Sequence, residues 1–170
     1  MTLPRLSQPQ AIDDLLLYRL SRLLAVGGAS VIRLCEGRFG ITRREWRILS
    51  LLAGQEGLLS SQLAERAQLD RARTSRAIGS LVEKQLLQRT PRAGDRRLAD
   101  LRLTPAGRAL HDALFPLVVG INQQLLAALG ADEVADLDAR LDRLQAHAEA
   151  LSLQQTDLPR TDRHKGRRGR

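Results

Sequence analysis

The sequence predicts a mainly helical chain with one small β-hairpin set among its helices. Three observations carry that expectation. Apolar residues recur at helical spacing through most of the 170 residues. Only the stretch from Leu86 to Leu103 instead alternates apolar and polar residues about a Gly-Asp turn. Ser, Thr or Asp stands before several of the helical runs, where a side-chain oxygen can accept an orphan backbone amide.

The first run extends from about Gln10 to Glu36. Ile12, Leu16, Leu20, Leu23, Leu24, Val31 and Ile32 are apolar, and Asp13, Arg19, Arg22 and Arg33 lie between them. Gly27-Gly28 is the place where this long helix would bend. The next run opens "TRREW". Thr42 can cap it and Glu45, three residues on, can reach back to the Thr42 amide, so a short helix should continue to about Ala53 and end at Gly54. Ser60 or Ser61 caps a third helix through Ala67, and Asp70 caps a fourth, "RARTSRAIGSLVEKQ". Two short helices joined by a tight turn predict a helix-turn-helix.

"LLQRT" reads as a strand, "PRAGDRR" as its turn and "LADLRL" as the returning strand, with Leu101 and Leu103 alternating against Arg102. A two-stranded hairpin is marginal alone, so this one must lean on the helices. Thr104 caps the next helix and Pro105 fills its first turn, while Pro116 inside it predicts a kink or a break. After Gly130, a last helix places Leu137, Leu141, Leu144, Ala148 and Leu151 at spacings of four and three, a seam for another helix. The terminal helices carry apolar faces too wide for one small core, which predicts self-association. The organisation expected is an N-terminal dimerisation helix (1–36), a DNA-binding domain (37–103), C-terminal dimerisation helices (104–158) and a disordered basic tail (159–170).

Lys and Arg number 27 against 19 Asp and Glu, a net charge of +8 that favours a polyanionic partner. Of that excess +5 lies in the last segment, Arg160 to Arg170, with six basic residues and one acid. Cys35 is the only cysteine, so no intrachain disulfide can form; it reads as a small buried hydrophobe rather than a redox sensor. The N-terminus has no apolar core for a signal peptide, and no apolar run nears the roughly 20 residues that span a bilayer. The expectation is a cytoplasmic protein without a membrane partner. An enzyme finds no support, since phosphate-loop, HExxH and paired-cysteine motifs are missing and the three histidines are far apart in sequence. No cofactor or metal is expected.

At about 100 degrees per residue, the helix after Asp70 puts Thr74, Ile78, Leu81 and Val82 on one face. Arg73, Arg76, Gly79 and Ser80 gather on the other, with Arg71 and Ser75 flanking its start. Two guanidiniums, a hydroxyl and a bare glycine suit an element that approaches a groove and bonds phosphates or guanine edges. The segment Arg89 to Arg108 adds six arginines against two aspartates, a local +4. Arginine at a hairpin tip suits the narrow minor groove, where the potential is most negative. Asp95, two residues before Arg97, can brace that side chain.

The run "LAERAQLDRARTSRAIGSLVEKQLLQR" and the wing "GDRRLADLRLTPAGRAL" resemble the multiple-antibiotic-resistance regulator (MarR) family of winged-helix transcription factors. The most specific part is Asp95, Arg97, Leu103, Thr104, Gly107 and Arg108, matching an Asp-x-Arg wing followed by Leu-Thr-x-x-Gly-Arg. The resemblance implies a homodimer with the terminal helices at its interface. The helix from Asp70 would sit in the major groove and the wing arginines in the minor groove of a pseudo-palindrome with half-sites one helical turn apart. The expected DNA contacts are Ser61, Arg71, Arg73, Thr74, Ser75, Arg76, Ser80, Arg96 and Arg97, with Asp95 as brace. One departure stands out: the family often has Gly where this chain reads Lys84-Gln85-Leu86, and a left-handed Gln85 would cost about 1 kcal/mol.

Many members of the family bind small aromatic acids and then release DNA. That implies a repressor, perhaps of aromatic catabolism, answering to a benzoate, cinnamate or nicotinate type of effector. With 2% aromatic residues a cage of rings is excluded, so such an effector would use cations and apolar walls, here Arg33, Arg38, Trp46, Arg47 and His111. The rival reading is an effector-independent architectural DNA binder that grips phosphates with the tail "RTDRHKGRRGR".

Overall fold

The computed structural model describes residues 4–92 and 94–154, of Arg96 and Arg97 the backbone only. A single 3-10 turn, Ile12–Asp14, precedes six α-helices and one two-stranded antiparallel sheet. In chain order these are α1 (Leu16–Phe39), α2 (Arg43–Gly54), α3 (Ser60–Ala67), α4 (Arg71–Glu83), β1 (Leu87–Arg92), β2 (Asp95–Leu103), α5 (Pro105–Leu126) and α6 (Ala131–Gln154). The mainly helical class with one hairpin is as the sequence predicts. The tail 159–170 lies outside the described residues.

Several ends fall where capping chemistry put them. Thr42 Oγ1 accepts the Glu45 amide at 3.2 Å while Glu45 Oε2 accepts the Thr42 amide at 2.6 Å, the reciprocal box that starts α2. Asp70 Oδ1 accepts the Arg73 amide at 2.7 Å and starts α4. Thr104 Oγ1 accepts the Gly107 amide at 3.0 Å behind Pro105.

Other ends differ from expectation. The helical periodicity from Gln10 is interrupted at Leu15, whose extended backbone delays α1 to Leu16, and α1 runs on to Phe39, three residues beyond Glu36. It passes through Gly27-Gly28 as unbroken helix and stops at the left-handed Gly40. Neither Ser60 nor Ser61 caps α3. The cap position is Leu59, whose amide donates to Gln62 Oε1 at 2.9 Å, so a glutamine three residues on does what a serine was expected to do. Pro116 does not break α5, which continues unbroken to Leu126.

The hairpin also departs from its expected turn. Leu87 pairs with Leu103 and Pro91 with Ala99, after which Arg92 pairs with Asp95. Pro91, Arg92 and Asp95 to Arg97 therefore belong to strands, and residues 96 to 98 form a bulge on β2 between the Ala99 and Asp95 partners. The hairpin leans on the link between α2 and α3, since Gly57 donates to Leu101 O at 2.9 Å and Leu101 to Leu58 O at 3.0 Å.

The chain divides after Leu125 into two compact units. In the first, Leu49, Leu52, Leu63, Ile78, Leu81 and Leu114 are wholly buried in one core that also takes in Ile41, Leu87 and Leu101. Gly107 is required at the join of α5 to the hairpin, because a Cβ there would collide with the Leu86 carbonyl oxygen. In the second unit α6 buries no residue and keeps Leu137, Leu141, Leu144 and Leu151 exposed. Among the described residues no single helix is long and apolar enough to cross a membrane.

Candidate nucleic-acid interface

Helix α4 is built with an apolar back and a cationic front. Ile78 and Leu81 are 0% exposed, and Arg71, Arg73, Ser75 and Arg76 are all exposed. Arg73 is partly aimed by the cap, with Nε 3.0 Å from Asp70 Oδ2, and Arg76 Nε lies 3.3 Å from the Ala72 carbonyl. Gly79 meets no neighbouring atom within 4 Å of a notional Cβ, so the front of the helix is open there.

Two of the expected contacts are corrected. Thr74 is 0% exposed and its hydroxyl donates to the Asp70 carbonyl at 3.0 Å, the back-bond a helical Thr makes to the residue four before it. It faces the core with Ile78 and cannot touch DNA. Ser80 is half-buried and its hydroxyl hydrogen-bonds the Glu45 carboxylate. Its polar atom is already committed inside the protein.

Glu45 is the hub of the lobe. It is 2% exposed, and both its oxygens lie 3.0 Å from Lys84 Nζ, which also donates to the Gly40 carbonyl at 2.9 Å. Burial pushes the carboxyl upward, but the Ser80 hydroxyl, the Thr42 amide and Lys84 together outweigh it and hold the group below its ordinary value. One carboxylate thus joins the start of α2 to the end of α4. At the other end of the pair, Arg47 Nη1 donates to the Ala67 carbonyl at 2.9 Å and satisfies the end of α3.

In the wing segment the six arginines have divided roles. Arg92 places Nε and Nη2 each 2.8 Å from Asp100 Oδ1, and Arg108 bonds Glu56 Oε1 at 2.7 Å and the Ala53 carbonyl at 3.1 Å. These two hold the hairpin and α5 to the loop after α2. Arg102 lies 3.9 Å from Glu56 Oε2, while Arg89 is exposed and lines a cleft with Ser60 and Ser61. The side chains of Arg96 and Arg97, the expected probe, lie outside the described residues, so the brace from Asp95 to Arg97 does too.

Of the five residues expected around an effector, the fold brings together only Trp46 and His111, stacked at 5.4 Å between ring centroids. Phe115 completes the group, 5.4 Å from His111 and 6.4 Å from Trp46. The sequence reading missed Phe115, although its spacing of four from His111 puts both on one face of α5. Arg47 is held by the Ala67 carbonyl instead, Arg38 sits over its neighbour Phe39 at 5.6 Å, and Arg33 is exposed on α1.

Residues 39–98, which span α2 to α4 and most of the wing, match the model of the MarR family. The chain carries a MarR-family winged-helix domain. A probable transcriptional regulator from Pseudomonas aeruginosa is 27% identical with a TM-score of 0.68, over 79% of this chain and 99% of that one. A MarR/EmrR family transcriptional regulator from Acinetobacter sp. ADP1 superposes with a TM-score of 0.76 at 24% identity, covering 82% of this chain and 99% of its own. A mutant MarR from E. coli complexed with operator DNA has a TM-score of 0.66 at 24% identity, over 79% and 98%. At that identity the last two speak for the shared fold alone. No curated protein matches the sequence. MarR-family proteins are DNA-binding transcriptional regulators rather than enzymes.

Within the MarR-family domain, α3 and α4 are the helix-turn-helix and β1 with β2 the wing. The turn between the two helices uses a left-handed Gln68, φ 50°, with the Leu69 amide donating back to the Ala64 carbonyl at 3.1 Å.

Proposed function

We propose that the protein is a homodimeric, sequence-specific transcriptional regulator that represses from a pseudo-palindromic operator and leaves it on binding a small aromatic acid. The observation that carries the DNA reading is the division of α4, with Ile78 and Leu81 buried behind exposed Arg73 and Arg76. Such a helix can enter the major groove, where a guanidinium fork matches the two acceptors of guanine. Ser61, Arg71 and Ser75, all exposed around its start, suit phosphate contacts. Arg96 and Arg97 fall in the β2 bulge, and their role is a minor-groove contact. The complex of the E. coli relative with operator DNA supports DNA as the partner.

The dimer reading rests on unpartnered apolar surface. On α1, Leu17, Leu23, Leu24 and Val26 are more than half exposed, and a cleft of about 310 Å³ between α1 and α5 is lined by Leu20, Leu24, Gly27, Ile121 and Leu125. A second copy covering these residues would give the two-fold that a pseudo-palindrome requires. An effector of the benzoate, cinnamate or nicotinate type would lie against Phe115, 48% exposed, beside His111.

The test is a pair of binding isotherms, one on a palindromic duplex enriched by the intact protein from a random library and one on a random duplex. Arg73→Ala should erode the preference between them by about 1–3 kcal/mol. Equal affinity of the intact protein for both duplexes would overturn the regulator in favour of a sequence-tolerant binder gripping through residues 159–170. Thermal shift with benzoate, cinnamate and nicotinate, followed by DNA release, tests the effector, and no shift with any of them removes that part.

A further inference from the structure

The exposed front of α4 does not end at its own helix. A cleft of about 400 Å³ joins it to the start of α2, lined by Thr42, Arg44 and Glu45 on one side and Arg73, Arg76 and Ser80 on the other. Three guanidiniums therefore border one basin, and its single carboxylate, Glu45, is buried and paired with Lys84.

Arg44 has no folding reason to be there. It lies in the first turn of α2, where the helix dipole is positive and disfavours a cation. Its neighbour Arg43 is explained by packing, because its guanidinium lies against Gly28 of α1. Arg44 is exposed, and among the described residues its guanidinium has no hydrogen bond or ion pair. A cation kept at the unfavourable end of a helix, without a partner and facing a cationic cleft, fits an anion supplied from outside.

We infer that this cleft seats a backbone phosphate of the DNA strand beside the major groove, and that Arg44 is a phosphate contact made from α2. This rests on the reading of α4 as the major-groove helix. A phosphate at the cleft would touch the start of α2 and the front of α4 together. Arg44 thereby fixes how deeply α4 sits in the groove while reading no base.

The experiment compares the full chain with Arg44→Ala and Arg44→Lys on a random duplex and on the enriched palindromic one, across salt. Arg44→Ala should weaken both equally and flatten the salt slope by about 0.9, so its deficit shrinks about 3.5-fold between 50 and 200 mM salt. Arg44→Lys should keep the slope, because a phosphate accepts a point charge. Relief of the dipole conflict should raise the thermal midpoint of Arg44→Ala by about 1–3 °C while DNA binding falls, opposite signs that a structural role would not produce. An unchanged slope, a loss confined to the palindrome, or a fall in midpoint alongside the lost affinity would each overturn the assignment. Arg73→Ala with Arg76→Ala separates the two readings. If that pair changes neither affinity nor preference, the α4 reading fails, whereas a null result for Arg44 alone leaves α4 standing.

Discussion

Helices α4 and α1 dispose of their apolar residues in opposite ways. In α4 Ile78 and Leu81 are 0% exposed and the outward face is cationic; in α1 Leu17 and Val26 are 79% and 80% exposed. A helix whose apolar residues are all satisfied within its own chain is free to show charge to a polyanion. A helix that leaves leucine and valine in water is incomplete, and its partner must be apolar. The charge pattern of α4 and the apolar pattern of α1 thus point to two different partners of one protein.

The largest test of that contrast is truncation. Ile78→Ala should cost about 2–5 kcal/mol of unfolding free energy in urea, because a wholly buried side chain leaves a cavity behind. Leu24→Glu should behave otherwise. Its side chain is 56% exposed, so the winged-helix lobe should be little affected, while self-association measured by sedimentation weakens by about 2 kcal/mol or more. A variant that stays as associated as the parent would remove α1 from the interface.

The contrast sharpens at Glu45, where the lobe holds its one buried carboxylate tying α2 to α4. Glu45→Gln should cost about 1–3 kcal/mol, since Lys84 and the Ser80 hydroxyl lose a charged acceptor. Because the folded carboxyl is held below its ordinary value of 4.5, its contribution is fully present above that value and is lost as pH falls through the lower folded one. The gap between parent and variant in urea midpoint should therefore be flat near neutrality and close in acid. A gap that widened in acid would contradict the ion pair. Leu24→Glu carries no such pH signature through this pair.

The local signals of the lobe were legible because each acts within a few residues. Thr42 with Glu45, Asp70 with the Arg73 amide and Thr104 with the Gly107 amide are all three apart, and Leu101 and Leu103 alternate with Arg102 as a half-buried strand must. What escaped is what the chain decides at long range. Arg47 reaches the Ala67 carbonyl twenty residues away, Lys84 reaches Glu45 across thirty-nine, and Trp46 finds His111 only after α2 and α5 have packed. Thr74 is a different case. The helical spacing already put it with Ile78 on the inner face, and its polar side chain was nonetheless counted as a DNA contact. The carbonyl four residues earlier satisfies that hydroxyl, so burial costs it little.

The smallest expected effect lies where α4 hands over to the wing. The Leu86 amide donates to the Leu81 carbonyl and the Gln85 amide to the Val82 carbonyl, each at 2.9 Å, the paired bonds of a Schellman turn. That turn requires a left-handed residue, and Gln85 occupies it at φ 59° where the family pattern has glycine. Gln85→Gly relieves about 1 kcal/mol of backbone cost. Part of this is offset by the greater freedom glycine gives the unfolded chain, leaving a gain of about 0.5 kcal/mol. The Thr104 hydroxyl bonds the Gln85 carbonyl rather than its side chain, so the join to α5 survives the change. Thermal unfolding should show a slightly more stable lobe with unchanged DNA affinity. A loss of stability would mean that the exposed Gln85 side chain supplies something glycine cannot.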